Sequence, residues 1–126
     1  MTNYRVGDYL IQVKNAARAK KHEIIVDSTK MIKAISEVLK KEKVIDSFEE
    51  KDGKLIVKIA FRKKEPILFD LKLVSKPGLR IYKNAEEIMK RKDKSSSFIL
   101  STSKGIISSE DVIKLKVGGE LIAEIY

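Results

Sequence analysis

Asp52-Gly53 separates two apolar-rich runs, and this dipeptide constrains the fold more than any other feature of the chain. A tight two-residue connection between strands needs positive φ at its central positions, which aspartate tolerates and glycine accepts freely. After the turn, Leu55, Val57 and Ile59 alternate with Ile56, Lys58 and Ala60. One face of that strand packs and the other is at least partly polar. The pattern predicts an antiparallel pair over 44–50 and 55–60.

Two amphipathic helices are available to cover the packed face. Val6, Leu10, Val13 and Ala17 recur at helical spacing and predict a first helix over 4–18, with Asn3 as a candidate cap. Ile24-Ile25-Val26 is short and β-branched and reads as a strand. Asp27, Ser28 or Thr29 then caps a second helix over 28–41, whose buried face uses Ile32, Ile35 and Leu39 with Met31 and Val38 beside them. The first half thus reads α-β-α-β-β, with helices on one side of a small sheet.

The second half is mainly β. Arg62-Lys63-Lys64-Glu65-Pro66 is a charged break and the best boundary in the chain. A strand over 67–74 follows, then a Ser75-Lys76-Pro77-Gly78 turn and a short strand over 79–82. One or two helical turns fit 84–92, and a strand fits 97–102. Ser108 with Asp111 is a candidate capping pair for a short helix through Leu115. Leu121, Ala123 and Ile125 alternate in a final strand. The expected class is α+β with two small domains, 1–63 (α-β-α-β-β) and 64–126 (mainly β with a short helix). A single small α+β domain is the structural alternative.

Charge narrows the function. The 126 residues carry a formal charge of +9, from 27 basic and 18 acidic side chains, mostly lysine and spread over both halves. That balance favours a polyanionic partner, most often nucleic acid. No cysteine is present, so disulfides and thiolate chemistry are excluded. His22 is the single histidine, and no histidine-assisted nucleophile or metal cluster organises Asp8, Asp27, Glu120 and the serines for catalysis. No apolar run approaches the roughly 20 residues that span a bilayer, and the first residues do not form a secretory signal. The expectation is a cytoplasmic binding protein with no catalytic site, metal, cofactor or membrane partner.

The densest set of contact-making groups is Ser101-Thr102-Ser103-Lys104-Gly105, at the end of the apolar strand Phe98-Ile99-Leu100. Hydroxyls both donate and accept, which suits the 2′-hydroxyls and base edges in the shallow groove of helical RNA. Lys104 adds a phosphate contact, and Gly105 allows close backbone approach. An ordinary polar turn is the plain alternative. The segment lacks the glycine-lysine spacing of a nucleotide phosphate loop. Gly118 and Gly119 permit close approach before the last strand, and Glu120 accepts from a base amino group or organises a nearby loop. The plain alternative there is a helix end and strand start. Tyr82 either stacks on an unpaired base or packs in the core. Lys76, Arg80 and Lys83 suit phosphates. Ser28, Thr29 and Lys30 begin the second helix, where free N–H groups can receive phosphate or a plain cap can form. Lys14 and Asn15, with Arg18, add a polar and positive surface on the first helix.

Three of these motifs occur in an order that resembles the family of the eighth protein of the small ribosomal subunit, in its bacterial form. Ser101–Gly105 and Val117-Gly118-Gly119-Glu120-Leu121 are similar to its C-terminal signature, and Val74–Lys83 to its central segment. Fainter similarity covers Asp8, Leu10, Val13, Lys14 and Asn15. The chain departs from the family at Tyr4-Arg5 (commonly Asp-Pro), at Lys94–Phe98 (commonly a Gly-x-Gly turn) and at Lys116 (often glycine). The resemblance implies a structural rRNA-binding protein that holds an irregular helix in the central rRNA domain, binds early in subunit assembly and neighbours other ribosomal proteins. It also implies possible binding of the chain's own messenger RNA. The rivals are another RNA-binding assembly or translational regulatory module, a DNA-binding protein and, last, an enzyme.

Overall fold

The computed structural model describes residues 5–68, 70–91 and 96–126. The candidate cap Asn3 and part of the Lys94–Phe98 departure lie outside them. The chain divides into two compact units, Arg5–Phe69 and Asp70–Tyr126.

In the first unit α1 (Arg5–Arg18), β1 (Glu23–Asp27), α2 (Lys30–Lys41), β2 (Ile45–Lys51) and β3 (Lys54–Ile59) follow the expected α-β-α-β-β order. The sheet order is β1-β3-β2, and both pairings are antiparallel. Asp52 (φ 52°) and Gly53 (φ 76°) form the turn that closes β2 on β3. Leu55, Val57 and Ile59 are buried, and both helices pack on the sheet. Each such aliphatic side chain contributes about 1.5–3 kcal/mol when fully buried.

The helical stripes hold with two changes. Tyr9 and Ala16 join Leu10, Val13 and Ala17 in the interior, whereas Met31 stays 46% exposed. Tyr9 is buried because its hydroxyl has a partner. It donates to Ser36 Oγ at 2.6 Å, and the Ser36 hydroxyl donates to the Ile32 carbonyl at 2.8 Å. Burial pushes the Tyr9 phenol up to about 12, against the opposing effect of the Ser36 bond. Thr29 is the α2 cap: its Oγ1 accepts from the Ile32 N–H at 3.1 Å.

The charged break over 62–66 is itself structured. β4 (Phe61–Arg62) and β5 (Glu65–Pro66) pair through a two-residue turn at Lys63 (φ 51°) and Lys64 (φ 71°). Proline at the very end of an edge pair removes no ladder donor that the pair requires.

The second unit contains β6 (Leu71–Leu73), β7 (Tyr82–Lys83), α3 (Ala85–Arg91), β8 (Ser97–Thr102), β9 (Gly105–Ser108), α4 (Ser109–Leu115) and β10 (Gly119–Ile125). The five-stranded sheet runs β6-β10-β8-β9, with β7 also on β10. β7 pairs with the start of β10 and β6 with its end. The core on one face combines Ile88, Phe98, Leu100, Val112 and Leu121.

Several local expectations change here. The strand expected over 67–74 shrinks to Leu71–Leu73, and the one over 79–82 is displaced to Tyr82–Lys83. Ser108 precedes α4 but makes no capping bond, and its hydroxyl is buried without a hydrogen-bond partner among the described residues. The reciprocal cap forms at α3 instead. The Glu87 N–H donates to Asn84 Oδ1 at 2.8 Å, and the Asn84 N–H donates to Glu87 Oε1 at 3.2 Å.

Candidate nucleic-acid interface

The Ser101–Gly105 segment is a hairpin more than a loop. Ser101 and Thr102 end β8, Gly105 opens β9, and only Ser103-Lys104 turn. The Thr102 hydroxyl closes that turn on itself. It donates to the Gly105 carbonyl at 2.9 Å and accepts from the Lys104 N–H at 3.0 Å. Gly105 sits at φ 104°, where a side chain would strain the backbone. The Ser103 and Lys104 side chains stand exposed at the tip, without a side-chain partner among the described residues. Of the three hydroxyls, those of Ser101 and Ser103 remain for a ligand.

β10 carries the neighbouring part. Glu120 lies opposite Ser101 on β8 and opposite Tyr82 on β7. Directly opposed residues share a face, so Tyr82, Glu120 and Ser101 form one row across three strands. Tyr82 is 66% exposed, which settles its two sequence readings in favour of an outward ring. Arg80 Nη1 donates to Glu120 Oε2 at 3.1 Å. The glutamate therefore organises the Arg80 side chain while keeping its second oxygen in the row.

The glycines before Glu120 make this row possible. A Cβ on Gly119 would lie 2.1 Å from the Ser101 carbonyl oxygen and 2.8 Å from its carbon. A Cβ on Gly118 would meet the Asn84 Cα and the Lys83 carbonyl at 3.0 Å each. The close approach that these glycines permit is between strands of the protein.

The central segment is held by a residue that sequence reasoning placed in a turn only. Ser75 is fully buried. Its hydroxyl donates to the Leu121 carbonyl at 2.7 Å and accepts from the Ile81 N–H at 2.9 Å. The Leu121 N–H donates to the Ile81 carbonyl at 2.8 Å. Between these anchors Lys76 and Leu79 exchange both backbone bonds at 2.9 Å around Pro77 and Gly78 (φ 83°). Proline then glycine at the two central positions is the composition of a type II turn. Lys76 is exposed without an ion pair among the described residues, whereas Lys83 Nζ lies 3.6 Å from Glu87 Oε2. Nothing in the sequence around Ser75 marks it as buried.

The first unit offers a separate surface. The Ser28 N–H donates to the Gly53 carbonyl at 3.0 Å, and the Thr29 hydroxyl is committed to its cap. The exposed Lys30 follows, in a first helical turn that contains no acidic residue. Close by, the Ser28 hydroxyl oxygen is buried without a hydrogen-bond partner among the described residues. Lys33 Nζ lies 3.0 Å from Glu50 Oε1. Lys14 is half-buried on α1 and Asn15 is exposed beside it. Among the described residues no cluster of histidine, aspartate and glutamate suits a metal ion, and no helix is long and apolar enough to cross a membrane.

Comparison with known proteins gives these surfaces their context. Residues 5–126 match the family model described as ribosomal protein S8. The small ribosomal subunit protein uS8c of Tetradesmus obliquus is 37% identical over 136 aligned positions, covering 100% of both chains. The uS8 proteins of Dichelobacter nodosus (39%, covering 93% of both chains) and Thermosynechococcus vestitus (37%, covering 98% of both) are similar to the same extent. A match over nearly the whole chain, together with relatives of equal length, shows that this chain belongs to the ribosomal protein S8 family.

Proposed function

We propose that this chain works as a structural rRNA-binding protein of the small ribosomal subunit, on the cytoplasmic ribosome, by binding with no bond-making step. Its relatives are named as small-subunit proteins, and its +9 charge suits a polyanion. The observation that carries the site is the row Tyr82–Glu120–Ser101 beside the Ser103-Lys104 tip. A ring, a carboxylate oxygen and hydroxyls in one row match what an irregular RNA helix offers: an unstacked base, an amino group and 2′-hydroxyls. Lys76 and Lys104 supply phosphate contacts, while Arg80 is oriented by Glu120. Gly105, Gly118 and Gly119 shape the surface, and Thr102 holds its tip. Lys83 contributes charge already shared with Glu87. The Lys14-Asn15 and Ser28-Thr29-Lys30 surface contacts the RNA backbone as a second site. The helix bound is an irregular one in the central domain of small-subunit rRNA. The chain's own messenger, where it reproduces that helix, is read by the same residues, and other small-subunit proteins are its neighbours.

The test is a comparison of affinities. Ser101 and Ser103 changed together to alanine, with Thr102 left in place, should weaken cognate rRNA binding more than random RNA binding. The salt slope should hardly change, because no positive charge is removed. Glu120→Gln should likewise lower the cognate-to-random ratio. Equal losses on both RNAs, in folded variants, would remove the row from the site.

A further inference from the structure

A second basic feature lies in the first unit, where the end of α1 meets the β4–β5 hairpin. Lys20 Nζ lies 3.3 Å from Glu65 Oε1, and the His22 and Phe61 rings have centroids 4.5 Å apart. These contacts bring the 20–22 segment against the hairpin. Its tip, Arg62-Lys63-Lys64, is exposed, as is Lys21. Lys21, Arg62, Lys63 and Lys64 have no ion-pair partner among the described residues.

The backbone makes this cluster unusual. Lys63 and Lys64 both occupy left-handed backbone, at φ 51° and 71°, and Lys20 does so at φ 57°. A residue with a Cβ is strained there, and Asn-Gly or Asp-Gly is the favoured composition of such a turn. The chain uses Asp52-Gly53 for its other turn of this shape, with φ values of 52° and 76°. At the second hairpin it places two adjacent like charges instead. Strain and mutual repulsion both oppose that choice, so the charges need a compensating role.

We propose that this corner is a further phosphate-contacting surface for rRNA, with Lys63 and Lys64 at its tip. The inference rests on the rRNA-binding reading above and adds a surface that none of its motifs contains. Lysines suit the task, since a compact ammonium neutralises phosphate without demanding a fixed geometry.

The full chain carrying Lys63→Asn with Lys64→Gly should be compared with Lys63→Arg with Lys64→Arg and the native protein. Each is titrated with a central-domain rRNA transcript over a range of salt and melted without RNA. The Asn-Gly variant should melt higher, because the turn is relieved. Its plot of log K against log salt should be shallower by about 0.7–0.9 for each phosphate that is no longer neutralised. The arginine variant should keep the native slope. A native slope in the Asn-Gly variant overturns the proposal, and a lower melting point removes the strain argument for it. Absence of rRNA binding by the native protein would instead overturn the reading on which the proposal rests.

Discussion

Replacing Ser75 with alanine should loosen the central segment over 76–82 and cost more stability than the loss of one hydroxyl suggests. The side chain is fully buried and ties β10 to the segment just before β7 through one oxygen. Alanine removes the 2.7 Å bond to the Leu121 carbonyl and the 2.9 Å bond from the Ile81 N–H. A buried donor left without an acceptor costs about 1–3 kcal/mol, and removing the other bond about 0.5–1.5 kcal/mol. Together they come to about 1.5–4.5 kcal/mol, a large share of the roughly 5–15 kcal/mol of a typical domain. Urea unfolding should show a lower midpoint with an unchanged slope. Hydrogen exchange at the Ile81 amide should accelerate more than at Leu100, because the segment opens before the sheet does. Cognate rRNA affinity should fall further than random RNA affinity, since Arg80 and Tyr82 lie on the loosened segment. A loss below about 1 kcal/mol, with Ile81 still protected, would refute the anchoring role.

Gly119→Ala should separate β8 from β10, because the added Cβ meets backbone at 2.1 Å and no side chain can yield. Disruption of the adjacent ladder bonds predicts about 2–4 kcal/mol in chemical denaturation, and a change within about 0.5 kcal/mol would contradict the close approach. Lys116 ends α4 in left-handed backbone at φ 56°. Lys116→Gly should therefore raise stability by about 0.5–1 kcal/mol in thermal melts, and a decrease would refute the strain. Alkaline unfolding should report Tyr9. Its folded-state value, about 12, lies above the usual 10.0, so the folded chain holds the proton more tightly. The resulting stability is intact below about pH 10 and is lost as pH rises from about 10 through 12, by up to about 2–3 kcal/mol. Tyr9→Phe should remove that pH dependence.

Periodicity made the architecture legible wherever one face of an element is buried. The helical stripes of α1 and α2 and the Asp52-Gly53 hairpin belong to this class. β10 was found from the alternation of Leu121, Ala123 and Ile125. Short elements escaped because two residues carry no period. The Lys63-Lys64 turn offers no glycine to announce it, and β9 begins where the polar Ser101–Gly105 run ends, with only Ile106 and Ile107 to mark it. Caps were ambiguous for a related reason. Ser108-x-x-Asp111 and Asn84-x-x-Glu87 look alike in sequence, and only the second pair meets.

At the candidate site, the sequence singles out residue types but not how they divide the work. Ser101, Thr102 and Ser103 are alike as letters. The strand pairing turns Ser101 into the Tyr82–Glu120 row, spends Thr102 on the turn and leaves Ser103 at the tip. Glu120 looked out of place beside phosphate until Arg80 was seen against it. Ser75 and the constraint on Gly119 depend on tertiary approach, which no local pattern encodes.

Footprinting of the small-subunit rRNA with and without the protein tests the central claim most directly. Protection should be confined to one irregular helix of the central domain, and Tyr82→Ala should weaken protection at unpaired bases while leaving the protein folded. Protection spread evenly over unrelated RNA, or confined to a different rRNA domain, would contradict the account.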